Sequence, residues 1–334
     1  MHVQELLGPR DAIVVTGSIN AMRLDRKLDR ADLRPVQVLD EDGWHPVPCM
    51  QAWGDLGVSS LAWHPEALER LYATTGGDLR CYDLDRSTVE EMAPADLDDV
   101  HEMAVIGDTL WLANTGRDEA VGIPLARGEA RRVDLDRFRA DAPTARADQE
   151  VRNRFHGNQV FADHQGHLAA LVHHVTGRQV LTKVAEKLLK KQGHGGVIDL
   201  ETGEARDLGL SGPHSVRLDP SGTGYWVCDS GTAQLNHYDA AWNLVGQVAT
   251  AGWGRGADWL GRYLLAGSSP IRKRYLDIIP GAKEGPSTLE AFDAEADGRL
   301  AASCEVPNVE QINNVYRIDR RVAEQLIAFE APAA

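Results

Sequence analysis

Three histidines, His101, His156 and His214, each stand just before a stretch in which apolar residues alternate with other residues. Neutral imidazoles that converge on one point are good ligands for zinc, iron, copper, manganese and nickel. Three protein ligands and one open position are typical of a catalytic metal centre, which activates water or polarises a substrate oxygen. The histidines are too far apart for a local motif, so only the fold could bring them together.

Other polar side chains fall at related places in the chain. When the same stretches are aligned, Ser59, Arg255 and Glu310 occupy the position of the histidines. Arg255 is suited to anchor a substrate carboxylate, and Glu310 or Glu102 to act as a further ligand or as a general acid or base. Calcium is the alternative ion, and its oxygen ligands would be Glu310, Asn158, Asn313 and Asp229.

A second group of polar residues follows the next apolar stretch of each unit. Its members are Thr74, Asn114, His173, His174, Asp229 and Ser268. We expect Asn114 and Asp229 to orient the ligands, with Asp229 counted among the catalytic candidates. We expect a substrate pocket formed by Asn114, His173, His174, Ser268, Ser59 and Asn158.

A repeated unit provides the fold that these residues need. One copy, GPHSVRLDPSGTGYWVCDSGTAQLNHYD, reads as a strand, a tight turn, a second strand, a polar corner and a third strand. Related units begin at GVSSLAWHP, DVHEMAV, RFHGNQV and GRGADWL. Their spacing of about 40 to 60 residues is that of four-stranded propeller blades. The sequence therefore predicts an all-β, six-bladed β-propeller, with a β-sandwich as the alternative.

The two ends of the chain supply the sixth unit. VEQINNVYRI near the C-terminus is suited to an inner strand, and DAIVVTGSINAMRLD near the N-terminus resembles a second and third strand. Pairing of the N- and C-terminal strands would close the ring and leave no open edge. Residues 1–334 are therefore predicted to form a single propeller domain.

These repeats resemble the NHL-like and streptogramin-lyase-like propellers, whose blades often carry a PHG motif before the first strand; here the motif reads GPHS. In blade number the chain also resembles the regucalcin, gluconolactonase and strictosidine-synthase group. The first resemblance implies elimination chemistry, and the second implies a calcium-dependent enzyme. Because propellers serve many functions, the resemblance concerns architecture first.

Two insertions, residues 176–196 and 269–287, interrupt the repeats. The first contains apolar residues at helical spacing, and the second contains a basic Arg-Lys-Arg run. Both join the second and third strands of a blade, so we expect helical and loop segments over the face that carries the histidines. They would form a lid there or, alternatively, a contact between copies in a homo-oligomer.

Composition narrows the range of partners. The 334 residues carry a formal net charge of −15, which argues against nucleic acid as a partner. No apolar run is long enough to span a membrane, and the N-terminal residues do not read as a signal peptide. The four cysteines form no CxxC pair, which favours a reducing, cytoplasmic setting.

Three functional hypotheses follow from these patterns. The first is a metal-dependent enzyme that acts on a small, anionic molecule by elimination, hydrolysis or metal-assisted oxidation. The second is a non-catalytic propeller that binds a peptide or protein. The third is a metal-free lyase or isomerase in which one histidine is the general base.

Overall fold

The computed structural model describes residues 1–19, 28–51, 53–54, 56–92, 96–126, 128–138, 153–177, 193–270 and 285–330. These residues contain six antiparallel four-stranded sheets. Blade one consists of β1 (Asp11–Ser18), β2 (Val36–Asp40), β3 (Gly43–Pro46) and the C-terminal β24 (Gln311–Asp319). Blade two consists of β4 (Ser60–His64), β5 (Ala67–Thr74), β6 (Leu79–Asp83) and β7 (Thr88–Met92). Blade three consists of β8 (Val100–Ile106), β9 (Thr109–Asn114), β10 (Glu119–Pro124) and β11 (Arg131–Asp134).

The other three blades repeat this order along the chain. Blade four consists of β12 (Gly157–Ala162), β13 (Leu168–Val172), β14 (Gly195–Asp199) and β15 (Ala205–Leu210). Blade five consists of β16 (Pro213–Leu218), β17 (Gly224–Asp229), β18 (Gln234–Asp239) and β19 (Leu244–Ala249). Blade six consists of β20 (Trp253–Leu260), β21 (Tyr263–Ser269), β22 (Thr288–Asp293) and β23 (Arg299–Glu305). Helix α1 (Arg320–Ala328) follows β24, and six short 3-10 turns connect strands or precede β1.

The blades form a closed ring, and the predicted six-bladed propeller is confirmed. Each inner strand contacts the inner strand of the next blade, and β24 contacts both β20 and β4. The closure predicted between the chain ends is also present, since β1 pairs with β24 over the whole length of β1. One detail differs: the third strand of blade one is Val36–Asp40, not the SINAMRLD segment (residues 18–25), of which residues 20–25 lie outside the described residues.

Apolar side chains fill the spaces between neighbouring blades. Between blades four and five, Leu171 and Tyr225 are fully buried with Val216 and Val227 beside them. Trp111 and Trp226 are buried in similar layers, as expected of blade-to-blade packing. Because the blades pack face to face around a central channel, the first residues of the inner strands lie close together at one end of that channel.

The predicted insertions fall mostly outside the described residues. Residues 178–192 contain the predicted amphipathic helix, and residues 271–284 contain the basic run, so the lid stays a prediction. Among the described residues, no helix is long and apolar enough to cross a membrane.

Candidate functional site

Four histidine rings meet where the inner strands of blades three, four and five begin. The ring centres of His101 and His156 are 4.9 Å apart, and those of His156 and His173 are 4.4 Å apart. His214 lies 5.6 Å from His173 and 6.2 Å from His101. We call these four residues the histidine cluster. The structure thus brings together the three histidines predicted as metal ligands and adds His173, which was predicted as a pocket residue.

The inner strands share a β-bulge, which fixes which residues are equivalent. The pairing shifts by one residue just after His214 and just after Arg255, and it shifts between Val100 and Met103 on either side of His101. In blade four the shift follows Gly157. His101, His214 and Arg255 are therefore equivalent, as the alignment predicted.

The alignment was wrong for three other residues. His156 lies one residue before the equivalent position, which Gly157 occupies, and its φ of 51° places it in the left-handed region. Glu310 and Ser59 precede the first residues of β24 and β4 and lie outside the strands. His156 reaches the cluster because of this unusual backbone conformation and not because of strand register.

Buried acceptors at the ends of second strands hold the loops that carry the histidines. Asn114 is fully buried, and its Oδ1 accepts a hydrogen bond of 2.8 Å from the Asp98 amide. Asp229 accepts one of 2.7 Å from the Ser211 amide. Both residues therefore hold a loop at a position three residues before a histidine, and their predicted role in orienting metal ligands stays a prediction.

Asp118 holds the backbone at His156, and it was not among the residues predicted from the sequence. Its carboxylate accepts hydrogen bonds from the amides of Phe155 and His156, at 2.9 and 3.2 Å. The available signal was its place in ANTGRDE, directly after the polar corner of blade three. Burial raises the pKa of Asp118 to about 7, against the opposing effect of those amide hydrogen bonds.

In three of the four rings, one nitrogen lies close to an oxygen atom of a neighbouring residue. Asp99 lies 3.4 Å from Nε2 of His101, and Oδ1 of Asn153 lies 2.7 Å from Nδ1 of His156. Nδ1 of His214 lies 2.8 Å from Oγ of Ser230 and 2.9 Å from the carbonyl oxygen of Gly212. Asp99, Asn153 and Ser230 were not predicted, because they come from loops whose direction the sequence does not reveal.

Other ring nitrogens in the cluster are buried without a partner. They are Nδ1 of His101, Nε2 of His173 and Nε2 of His214, and none has a hydrogen-bond partner among the described residues. A buried polar atom without a partner costs free energy, so these three nitrogens are candidates for contact with a ligand or with water.

The cluster consists largely of neutral imidazoles. Burial lowers the pKa of His156, His173 and His214 well below the usual value for histidine. Neighbouring charges act in the same direction: His101 on His156, and Arg255 on His214. The hydrogen bond to His101 lowers the pKa of Asp99 to about 2, which keeps this carboxylate charged.

The arrangement does not amount to a finished metal centre. Across the ranges given above, no group of three or more His, Cys, Asp or Glu side chains has the geometry to hold an ion. His101 and His214 each combine a nitrogen that meets an oxygen with a nitrogen that lacks a hydrogen-bond partner among the described residues. Metal binding would therefore need the rings to turn toward a common point.

Two of the predicted acidic residues have other partners. Glu102 is buried in an ion pair of 2.9 Å with Arg217 and accepts a hydrogen bond of 3.0 Å from Ser215. This network links blades three and five across the channel. Glu310 is also buried, and its Oε1 accepts a hydrogen bond of 3.2 Å from the Leu28 amide.

The remaining predicted pocket residues form hydrogen bonds or backbone pairs in the strands and loops around the cluster. Asn158 donates a hydrogen bond to the carbonyl oxygen of Pro213, next to His214. Ser268 donates one of 2.5 Å to the buried Glu290. The backbone of Ser59 pairs with Thr74. The buried His174 forms an isolated backbone β-bridge with His194, and its ring centre lies 6.1 Å from that of His173, so it borders the cluster directly.

Comparison with known proteins shows the fold and nothing finer. No protein-family model matches the sequence, and a search of curated proteins also returns no match. A structure of the nidogen/laminin complex matches with a TM-score of 0.57 and 10% identity, covering 92% of this chain and 98% of that one. A putative 6-phosphogluconolactonase from Bacteroides fragilis matches with a TM-score of 0.53 and 12% identity, covering 93% and 99%.

Streptogramin B lyase is also similar, with a TM-score of 0.47 and 11% identity over 76% of this chain and 71% of that one. Of these structures, the two with TM-scores above 0.5, the nidogen/laminin complex and the putative 6-phosphogluconolactonase, agree with the propeller architecture. At 10% and 12% identity they show the fold alone and do not choose among the three functional hypotheses.

Proposed function

We propose that the protein is a metal-dependent enzyme that acts on a small, anionic molecule at the histidine cluster. The observation that carries the proposal is the pairing pattern of the rings. In both His101 and His214, one ring nitrogen lies beside an oxygen atom. The second nitrogen of each ring is buried and has no hydrogen-bond partner among the described residues. Histidines that bind metals characteristically use one nitrogen for the ion and the other for an oxygen acceptor.

The spacing of the rings supports the same conclusion. Neighbouring rings of the cluster lie 4.4–6.2 Å apart, so modest rotations of the side chains would be enough to bring their nitrogens toward one ion, which binds imidazole nitrogen at about 2.0–2.1 Å. Neutral imidazoles are also the form that binds a metal, so the low pKa values of His156, His173 and His214 remove the need to release protons first.

Arg255 gives the site its preference for anions. It occupies the register of His101 and His214 on the neighbouring blade six, and its charge acts on His214, His173 and His156. A guanidinium is suited to bind a carboxylate or phosphate through two parallel hydrogen bonds. Trp253 lies 6.1 Å from His214 and forms an apolar wall that would exclude water.

A bound divalent transition metal would polarise a substrate oxygen or lower the pKa of a bound water molecule. The chain itself orients the substrate through Arg255 and fixes the ring of His101 through Asp99. With a pKa of about 2, Asp99 is too weak a base for general acid–base catalysis near neutral pH, so its part is to hold the ring of His101. The acid–base role stays with Glu310 or Glu102, as the sequence suggested. The reaction class among elimination, hydrolysis and oxidation stays open at this level.

Elemental analysis by mass spectrometry tests the metal directly. Untagged protein purified without chelators is expected to hold about one equivalent of a transition metal. The double variant His101→Ala/His214→Ala is expected to lose it. His167→Ala is the matched control, because His167 is an exposed turn histidine paired with Asp163 and should retain the metal.

Two other results would overturn the metal proposal. Metal-free wild-type protein that takes up none of zinc, iron, copper, manganese or nickel would exclude the transition-metal centre. Calcium at one equivalent, retained by the double variant, would favour oxygen ligands instead of the histidines.

The metal-free alternative is favoured by the contact between Asp99 and His101. A carboxylate that orients an imidazole is the usual arrangement for a histidine general base. If His101 is a base and the site binds no metal, Asp99→Asn should impair activity while His214→Ala leaves much of it. If both are parts of a metal centre, loss of either histidine should abolish it.

A further inference from the structure

A polar surface cleft lies between blades four and five. It is open to solvent, has a volume of about 410 Å³, and is lined by β15 on one side and by β17, β18 and β19 on the other. We call it the interblade cleft. None of the four cluster histidines lines it. Its volume is within the range of about 300–1,000 Å³ that is usual for sites that bind small molecules.

The floor of the cleft is a ladder of amide and hydroxyl groups. Gln234, Asn236 and Tyr238 alternate along β18, so their side chains share one face of the strand. Gln247 on β19 donates hydrogen bonds of 3.2 Å to Gln234 and 3.0 Å to Asn236. Asn236 donates one of 3.3 Å to the hydroxyl of Tyr238. The amides are therefore held in one orientation before any ligand arrives.

The charge of the lining selects the class of ligand. Asp207 and Asp229 contribute carboxylates, and the described residues that line the cleft include no Lys, Arg or His. Nδ1 of His194, which is not part of the lining, lies 3.0 Å from the Asp207 carboxylate. An anionic ligand would therefore meet two carboxylates and no cationic side chain among these lining residues. Carboxylates and amide oxygens accept hydrogen bonds, and amide NH₂ groups donate them, so the lining matches a ligand whose groups both donate and accept.

Aromatic side chains form the other end of the cleft. Trp242 stacks on Tyr225 with ring centres 4.0 Å apart and an angle of 3° between planes. Its φ of 62° is unusual for a bulky residue, so packing must hold it in a strained conformation. Tyr238 is buried beside it. Tyr225 covers one face of Trp242, so the half-buried ring has only its remaining surface open to the C–H groups of a ligand that is otherwise polar.

We propose that the interblade cleft binds a neutral polyhydroxylated molecule about the size of a mono- or disaccharide. Its hydroxyl groups would exchange hydrogen bonds with Gln234, Gln247 and Asp207, and its carbon skeleton would lie near Trp242. The cleft is a site in its own right and does not depend on a metal at the histidine cluster. Asp229 borders the cleft and also holds the loop that carries His214.

Saturation-transfer NMR with glucose, galactose, mannose, N-acetylglucosamine and maltose at millimolar concentrations tests the proposal. At least one sugar is expected to bind saturably. Gln247→Ala and, separately, Gln234→Ala are expected to weaken that binding at least fivefold, because each removes a hydrogen-bonding amide from the cleft. Gln165→Ala is the control, since Gln165 is an exposed amide in the turn between β12 and β13.

The same experiment separates the cleft from the histidine cluster. His101→Ala/His214→Ala should leave sugar binding unchanged, whatever it does to metal content. The proposal is overturned if none of the five sugars binds saturably. It is equally overturned if a sugar binds but neither glutamine variant weakens it, or if the double histidine variant abolishes it.

Discussion

At the scale of single residues, buried carboxyl and amide groups explain how the histidines are placed. Asp229 is almost fully buried, and its two oxygens accept hydrogen bonds from the Ser211 amide and the Thr232 hydroxyl, both at 2.7 Å. Burial nevertheless disfavours the charged form and raises the pKa of Asp229 to about 6. The folded protein therefore binds a proton at Asp229 more tightly than the unfolded chain does.

That difference makes a prediction about stability and pH. Because the pKa is raised in the folded state, the contribution of Asp229 to stability is fully present below about pH 4 and is lost as the pH rises through about 6. Asp229→Asn keeps the shape and removes the titration. The unfolding free energy of wild type relative to this variant should fall between pH 4 and pH 7, by up to about 3 kcal/mol, since one pKa unit is worth about 1.4 kcal/mol.

Urea titrations of both proteins at several pH values would measure the difference. Asp163→Asn is a suitable control, since Asp163 lies in an exposed turn where it caps backbone amides. A wild type whose stability rose over this pH range relative to Asp229→Asn would show that the hydrogen bonds to Ser211 and Thr232 outweigh burial.

At the scale of elements, the β-bulge of the inner strands decides which side chains face the channel. Ser215 has a φ of 48° and Gly256 a φ of 69°. They are the bulge residues that directly follow His214 and Arg255. A bulge adds one residue to a strand and re-aims the side chains on either side of it. The same device recurs in five blades, including blade one at Asn313.

Gly256 is the bulge residue most open to a direct test. A Cβ there would lie 2.4 Å from Cα of Asn314 and from the amide nitrogen of Val315, which are backbone atoms that cannot move aside. Gly256→Ala should lower the unfolding free energy by about 3 kcal/mol or more, through strain at positive φ and through this clash. Gly261→Ala is the control, because Gly261 also has positive φ but no atom lies within 4 Å of its added Cβ, so about 1 kcal/mol is expected.

Thermal and urea unfolding of the two variants would compare these costs. Equal losses would mean that backbone strain alone matters and that the contact between β20 and β24 is loose. A larger loss in Gly256→Ala would establish that the inner strands are packed too closely for any side chain at this position.

The bulges also explain which parts of the fold and of the histidine cluster can be predicted from the sequence. Alternation and repeated turns suffice to predict six blades, their closure, and the register of His101, His214 and Arg255. They do not predict that His156 is displaced by one residue, because that depends on a left-handed backbone at a non-glycine residue. Asp99 and Asn153 were missed for the same reason, since each has a positive φ in a loop before an inner strand.

At the scale of the whole molecule, the ring depends on a strand from the far end of the chain. β24 pairs with β1 and also contacts β4 and β20, so it completes one blade and joins two others. Helix α1 then packs Val322 and Leu326, and Phe329 just after the helix, against the core that Val14 and Val38 share. The strand closes the ring, and the helix adds burial to a ring that is already closed.

Two truncations separate these contributions. A chain ending at Asp319 keeps β24 and loses α1, so it should remain folded, with its unfolding free energy lowered by several kcal/mol, at about 1.5–3 kcal/mol for each large apolar side chain exposed. A chain ending at Asn308 also loses β24 and leaves the edge of β1 unpaired, which favours aggregation.

Size-exclusion chromatography and circular dichroism should show a monomeric β-protein for the chain that ends at Asp319 and aggregated or unfolded protein for the chain that ends at Asn308. Adding a synthetic peptide of residues 309–330 should partly restore the second. A monomeric, cooperatively unfolding chain that ends at Asn308 would contradict the view that ring closure by β24 holds the blades, and with them the histidine cluster, in place.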